Sequence, residues 1–170
     1  MELIQVSPAE STHVELFTDM LLAYLRELDE HSPDPSFPDE TIRVYAAGMS
    51  RMQGSSDRHL ELCLDGGAWF GFHCDMAGHT GHKGFNKPSY GCIMEIYVAP
   101  GFRRKGYGTR MLARLSSDFF EHDVENLYLT ADPVSGEPFF EALDFRRHRE
   151  IYPKNNQKIY EKKIKTRSHP

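Results

Sequence analysis

The sequence predicts an α/β (α+β) fold, in which a central mixed, twisted sheet of about six or seven strands is flanked by about four helices. Two observations carry this prediction. Apolar and polar residues alternate at 60–65, and an aromatic-rich run follows at 68–74. Because Asp65-Gly66 between them favours a tight turn, an antiparallel hairpin is expected there. An apolar run at 91–98, an amphipathic segment at 107–119 and a second run at 126–131 form a strand–helix–strand unit whose strands should be parallel.

The N-terminal part of the chain predicts one strand and two helices. Residues 3–6 fit a short strand. The segment Ser7-Pro8-Ala9-Glu10 is a typical helix start, with Ser as the cap and Pro in the first turn, and this helix should end before Pro33. A second helix is expected from about Asp39, because apolar residues recur there at helical spacing.

The C-terminal part predicts a short helix at 138–143 and a hairpin formed by 146–152 and 157–164. The last six residues, 165–170, have the composition of a frayed tail. Because neither an internal repeat nor a linker is recognisable, residues 1–170 are expected to form a single domain.

The composition is that of a soluble globular protein, with 39% hydrophobic and 26% charged residues. We expect no membrane span, because the sequence has no apolar run of about 18 residues. The beginning of the chain lacks the charged start and apolar stretch of a signal peptide. Cys63, Cys74 and Cys92 are odd in number and lie in strand-like runs, so we expect reduced thiols in a cytoplasmic protein.

A basic, glycine-containing turn links the run at 91–98 to the helix that follows. Pro100 and Gly101 end the strand, and the turn contains no acidic residue although the chain has a net charge of -5. The first N–H groups of a helix have no intrahelical partner, and the helix dipole makes that end partly positive. Since Gly106 and Gly108 allow close approach of the backbone, the turn is expected to bind phosphate. The turn has neither the P-loop pattern nor the GxGxxG pattern of dinucleotide-binding proteins. The alternative to a phosphate-binding turn is an ordinary surface turn that contains glycines.

The spacing of this turn carries a family resemblance. Arg103-x-x-Gly106-x-Gly108, preceded by Val98-x-Pro100, closely resembles the acyl-CoA pyrophosphate motif of the GNAT superfamily of N-acetyltransferases. The order of predicted strands and helices also resembles the GNAT acyltransferase fold, over nearly the full chain. The resemblance therefore strengthens the prediction of a mixed sheet flanked by helices.

A second match lies at 129–145, which is similar to the family's second motif, with two departures. Phe140 stands where a Tyr is common, and Asp144 stands where a Gly is common. In many relatives that Tyr protonates the departing thiolate, which Phe140 cannot do. Ser135, Tyr97 and Tyr128 are the candidate substitutes. Because a free thiol has a pKa of about 8.5, the thiolate can also leave without help or through water.

The resemblance implies an acetyl-CoA-dependent N-acetyltransferase that moves the acetyl group to a primary amine of a small molecule or peptide by direct attack. The residues expected to bind the acetyl-CoA co-substrate are Ile96, Tyr97, Val98, Arg103, Arg104, Lys105, Gly106, Tyr107, Gly108, Thr109, Ser135 and Phe140. A different class remains open, a non-catalytic acyl-CoA-binding sensor or regulatory module. A phosphate-binding protein of another fold is a weaker alternative.

The general base is expected to be Glu95, the one carboxylate in the strand at 91–98. A lysine-like amine has a pKa of about 10.4, so a group must accept its proton. Burial would raise the pKa of Glu95 towards neutral pH. The alternative is a structural carboxylate that accepts hydrogen bonds from the backbone.

Four residues of types that can bind a metal lie close together in the sequence: His73, Cys74, His79 and His82. Their spacing is not that of a zinc site, so no metal is expected. His79 and His82 fall in a long glycine-containing connection, 76–89, whose length is typical of a functional or mobile loop. Either histidine could instead contact the substrate.

The acceptor is only weakly indicated. A group of acidic residues near the presumed cleft wall mildly favours a cationic amine, although a solvated acidic face explains the group better. Its members are Glu27, Asp29, Glu30, Asp34, Asp39 and Glu40. A sequence pI near 6.0 gives no reason to expect nucleic acid as a partner, and no membrane partner is expected. The resemblance allows a homodimer.

Overall fold

The computed structural model describes residues 1–31, 37–53, 58–77, 90–122, 124–152 and 157–164. Within these ranges the chain forms seven strands and four helices, which confirms the predicted fold class. The strands are β1 (Glu2–Gln5), β2 (Arg58–Asp65), β3 (Ala68–Ala77), β4 (Tyr90–Val98), β5 (Asn126–Thr130), β6 (Arg146–Ile151) and β7 (Lys158–Lys163). The helices are α1 (Ser11–Asp29), α2 (Asp39–Met52), α3 (Tyr107–Glu121) and α4 (Gly136–Glu141).

The strands form one mixed sheet in the order β1-β2-β3-β4-β5-β7-β6. β4 and β5 are parallel, as the strand–helix–strand pattern predicts, whereas β1–β2, β5–β7 and β6–β7 are antiparallel. The parallel register runs from Tyr90↔Asn126 to Cys92↔Tyr128, but β4 itself continues to Val98. The carboxyl end of β4 therefore extends beyond its register with β5.

The chain divides into two compact units, of which the first comprises residues 1–74 and 95–108. Its core combines one face of α1 with inward side chains of β2 and β3. Phe17 and Phe72 are fully buried, and their ring centroids lie 5.1 Å apart in an edge-to-face arrangement. Leu21, one helical turn after Phe17, and Leu62 are also fully buried. The helical spacing of apolar residues thus explains which face of α1 packs inward.

The second unit comprises residues 75–94 and 109–170. Met111, Leu115 and Phe119 recur every four residues along α3, and all three are buried. A Cβ atom added at Gly91 would lie 2.7 Å from the Phe119 ring. Glycine at this position of β4 therefore allows the aromatic ring of α3 to pack directly on the strand.

Three local predictions need correction. α1 begins at Ser11, and not at Ser7, because the Ser7 carbonyl accepts the N–H of Glu10 and closes a separate turn before the helix. α4 begins two residues earlier than predicted, since the Asp132 side chain accepts the N–H of Gly136. The continuous apolar run at 91–98 predicts a strand buried on both faces, but most positions of β4 keep partial exposure.

None of the helices in the described ranges is long and apolar enough to cross a membrane. The predicted tail at 165–170 lies outside the described residues, and so does most of the predicted connection at 76–89.

Candidate active site

The carboxyl end of β4 is held against β3 by an unusually close approach. A Cβ atom added at Gly71 would lie 2.1 Å from the Tyr97 carbonyl oxygen, so only glycine fits there. Just beyond, the Ala99 N–H donates to the Phe70 carbonyl at 2.8 Å. Because side chains alternate along a strand, Glu95 and Tyr97 share one face of β4. The backbone that carries both side chains is thus fixed.

Glu95 has the environment of a general base. Protein surrounds its carboxyl group although the residue keeps partial exposure, and desolvation raises its pKa to about 7, while a hydrogen bond from the Tyr24 hydroxyl acts in the opposite direction. The Tyr24 ring is oriented by contacts with the rings of Phe72 and Tyr97, at centroid distances of 6.1 and 5.6 Å. A carboxyl with this pKa exchanges its proton near neutral pH, as base catalysis requires.

Tyr97 points its hydroxyl at a carboxylate of α1. The side chain is buried, and the hydroxyl donates to Glu27 Oε1 at 3.2 Å. Burial raises the pKa of Tyr97, and the negative charge of Glu27 raises it further. Tyr97 therefore keeps its proton at neutral pH.

Glu27 is the residue beside Tyr97 that the sequence identifies least well. Its second oxygen, Oε2, accepts a hydrogen bond from Arg103, the first residue of the glycine motif. From the sequence, Glu27 could be identified only as one of the acidic residues near the presumed cleft wall. No local pattern could have paired it with Arg103, because the two residues are 76 positions apart.

Residues 99–106, here called the glycine loop, connect β4 to α3. Pro100–Phe102 form a single turn of 3-10 helix, and α3 then begins at Tyr107. Arg104 and Gly106 have left-handed backbone conformations, with φ of 60° and 82°. Turns with such residues gather successive backbone N–H groups into an anion-binding concavity. The space beside Gly106 is open, since an added Cβ would meet nothing within 4 Å.

The start of α3 is anchored by Tyr107. Its hydroxyl donates to Asp65 at 3.0 Å, and its ring lies 4.4 Å from that of Phe70. The first turn of α3 itself contains no acidic residue, so no carboxylate of that turn competes for its free N–H groups. The loop and the helix start therefore fit the diphosphate group that the sequence motif predicts.

Ser135 and Phe140, the two remaining candidates, belong to the second unit. The exposed Ser135 donates its hydroxyl to Asp132 Oδ2 at 2.9 Å, within the turn that starts α4. Phe140 is buried, and its ring lies 5.0 Å from Phe139 and 5.3 Å from Phe145. The structure thus places Ser135 in a cap and Phe140 in a core.

Two of the four residues considered as metal ligands, His73 and Cys74, lie in the described ranges. His73 is buried and its Nε2 lies 3.1 Å from Glu61 Oε2, and Cys74 is buried as a free thiol. His79 and His82 lie outside the described residues. Among the residues that the structure describes, no group of three or more His, Cys, Asp or Glu side chains could hold a metal ion.

Comparison with known proteins identifies the class. The family model described as "Acetyltransferase (GNAT) family" matches residues 22–145. The chain therefore belongs to the GNAT acetyltransferase family, which confirms the family and the acyltransferase class predicted from the glycine motif. No curated protein matches the sequence.

Solved structures agree on the fold. A GNAT-family acetyltransferase from Staphylococcus aureus Mu50 matches with a TM-score of 0.73 and 13% identity, covering 96% of this chain and 99% of its own. An aminoglycoside 6′-N-acetyltransferase solved with coenzyme A matches with a TM-score of 0.69 and 14% identity, over 99% and 100% of the two chains. The PaiA N-acetyltransferase from Thermoplasma acidophilum, also solved with coenzyme A, matches with a TM-score of 0.61 and 13% identity, over 95% and 98%.

Proposed function

We propose that this protein is a single-domain N-acetyltransferase that transfers the acetyl group of acetyl-CoA to a primary amine of a small molecule or peptide. Acetyl-CoA, the co-substrate implied by the family, supplies an acetyl thioester. The observation that carries the proposal is Glu95, a carboxyl with a pKa of about 7 on the strand that leads into the glycine loop. The described cysteines are free thiols, which fits the cytoplasm as the site of the reaction. A homodimer stays a prediction.

The glycine loop receives the diphosphate. The left-handed residues Arg104 and Gly106 and the free N–H groups at the start of α3 supply backbone donors. Of the other predicted contacts, Lys105 lies in the glycine loop, and Tyr107, Gly108 and Thr109 lie in the first turn of α3. The pantetheine arm, which is peptide-like, pairs with the backbone edge of β4 at Ile96 and Val98, beyond the register of β4 with β5.

The acceptor nitrogen must lose a proton as it attacks. Glu95 accepts that proton, directly or through a water molecule, and its pKa near 7 suits this exchange at neutral pH. The Val98 N–H donates to the oxygen on which negative charge develops. Tyr97 keeps its proton at neutral pH and stays a candidate acid, although its hydroxyl already donates to Glu27, just as the Ser135 hydroxyl donates to Asp132.

Thiol release from acetyl-CoA in the presence of a panel of amines tests this proposal. The panel contains diamines, polyamines, amino acids, an aminoglycoside and lysine peptides, and thermal protection by CoA is recorded in parallel. We expect CoA to raise the unfolding temperature and at least one amine to release thiol above the rate without protein. Protection by CoA without release for any amine would instead support the sensor or regulatory module.

A further inference from the structure

A single carboxylate on α1 joins two separate segments of the first unit. Glu27 Oε1 accepts from the Tyr97 hydroxyl, and Glu27 Oε2 accepts from the Arg103 guanidinium. Tyr97 lies near the carboxyl end of β4, and Arg103 lies in the glycine loop. One side chain of α1 therefore restrains both the strand and the loop.

The Arg103 side chain is directed back onto β4. Its Nε donates to the Val98 carbonyl at 2.7 Å, and its guanidinium carbon lies 5.6 Å from the centre of the Tyr97 ring. The planar guanidinium suits this geometry, because its fork of donors can reach a carboxylate and a carbonyl together. Two of its nitrogen atoms, Nε and Nη2, are thus bonded within the protein.

The Val98 carbonyl belongs to the edge of β4 that is turned away from β3. Backbone groups of successive residues in a strand face opposite edges, and the Ala99 N–H is bonded to Phe70 of β3. Ile96 and Val98 therefore present their N–H and C=O groups on the other edge. Arg103 occupies the Val98 carbonyl there and leaves the Val98 N–H and the Ile96 groups for a ligand.

We propose that Glu27 is a positioning residue for the co-substrate: it holds Arg103 on the Val98 carbonyl, so that the edge of β4 keeps the shape that the pantetheine arm needs. In this arrangement the backbone amides of the glycine loop bind the diphosphate, and the Arg103 side chain does not. The inference rests on the proposed function, because it assumes that pantetheine pairs with this edge. It assigns a role to Glu27. It also changes the expected role of the Arg103 side chain, from binding the diphosphate to shaping the edge of β4.

Calorimetric titration of Glu27→Gln with CoA distinguishes the two roles of Arg103, because they predict opposite signs. If Glu27 positions Arg103, its loss weakens CoA binding about fivefold, the effect of one hydrogen bond. If Arg103 is instead a diphosphate ligand that Glu27 holds back, the variant binds CoA more tightly. Binding of 3′-phosphoadenosine 5′-diphosphate, which lacks pantetheine, should be unchanged in Glu27→Gln.

The matched control is Asp29→Asn, which removes an equal charge from the same helix. Asp29 pairs with Arg26 at 3.1 Å, and neither residue is a predicted cofactor contact. We expect wild-type affinity for CoA in this control, which separates positioning from a general change of charge. Exposed ion pairs contribute little to stability, so Glu27→Gln should fold. If it does not, Tyr97→Phe removes one hydrogen bond of the same carboxylate without a change of charge and should also weaken CoA binding.

The outcomes are separable. Tighter or unchanged CoA binding in Glu27→Gln, or an equal loss in Asp29→Asn, overturns the role of Glu27. An equal loss of affinity for the nucleotide fragment also overturns it, because the effect would then not concern pantetheine. Failure of the wild-type protein to bind CoA overturns this inference and the proposed function together.

Discussion

Glu95 and Asp132 are both partly exposed residues, yet the pKa values of their carboxyl groups move in opposite directions. Desolvation dominates at Glu95, where the Tyr24 hydroxyl is the hydrogen-bond donor that opposes it. At Asp132 desolvation also acts to raise the pKa, but donors from Ser135, Val134 and Gly136 together lower it. The balance between desolvation and the donors aimed at a carboxyl thus decides whether its pKa lies near neutral pH or below its ordinary value.

The geometry around Asp132 shows why it is structural. Oδ1 accepts the N–H groups of Val134 and Ser135, both at 2.9 Å, and Oδ2 accepts the N–H of Gly136 at 2.8 Å and the Ser135 hydroxyl at 2.9 Å. These donors lie at the start of α4, where N–H groups lack helical partners. Glu95 has no such set of donors among its described contacts, so its charge is poorly solvated.

The largest expected effect is that of Glu95→Gln on turnover. Removal of a general base should lower kcat by about 10²–10⁴, while the affinity for CoA stays unchanged. The rise of kcat/KM with pH through about 7 should disappear in the variant, because that rise reports ionisation of Glu95. Steady-state rates from pH 5 to 9, with Asp132→Asn as the matched amide variant, measure this. A kcat for Glu95→Gln equal to that of Asp132→Asn would remove the distinction between the two carboxyls.

The next effect is on stability, where the two carboxyls should show opposite pH dependence. The folded pKa of Glu95 is about 7 against an ordinary value of 4.5, so between these values the folded chain holds a proton that the unfolded chain has lost. Stability therefore falls as pH rises through this window, by at most about 3 kcal/mol, and Glu95→Gln lacks this fall.

Asp132 has a folded pKa below its ordinary 3.8, so its stabilisation is present above that value and is lost as pH falls below it. Urea unfolding of the wild type and the two amide variants from pH 3 to 8 gives both differences. If the free energies of unfolding of Glu95→Gln and Asp132→Asn changed with pH in the same way, the opposite pKa shifts of the two carboxyls would be contradicted.

A smaller effect is expected from Tyr24→Phe. The Tyr24 hydroxyl lowers the pKa of Glu95, so its removal should move the acid limb of kcat/KM to higher pH, by less than about one unit. Tyr160→Phe is the matched control, because Tyr160 is a buried tyrosine that donates to another carboxylate, Glu141, at 3.1 Å. A limb that moves to lower pH, or that moves equally in both variants, would show that Tyr24 does not set the protonation of Glu95.

The sequence was informative wherever the relevant pattern is local. The hairpin at Asp65-Gly66, the parallel strands around α3 and the glycine motif all depend on residues within a few turns of one another, and the structure has each of them. Glu95 could be selected for the same reason, because a carboxylate in an apolar strand must be desolvated. Local propensity and periodicity are sufficient for such features.

Contacts between distant segments could not be predicted. The pairing of Glu27 with Arg103, and the approach of Gly71 to the Tyr97 carbonyl, exist only because β3, β4 and α1 pack together. The correction at α4 has a related cause. Apolar periodicity identifies the helix, but its start is set by the hydrogen bonds of Asp132, which lies before the apolar residues.

The smallest effect is expected at Asp144, a third acidic residue. Here the backbone conformation, and not the environment of the carboxyl group, determines the effect of a substitution. Asp144 has a left-handed conformation, with φ of 65°, just after α4, where its N–H donates to the Glu141 carbonyl at 3.1 Å. Glycine adopts this conformation without the steric cost of a Cβ atom, which explains why the family pattern has Gly here. Asp144→Gly should therefore raise the free energy of unfolding by less than about 1 kcal/mol, and kcat should not change. Asp144→Ala is the control: if alanine stabilised the protein as much as glycine in urea unfolding, backbone strain would not be the reason.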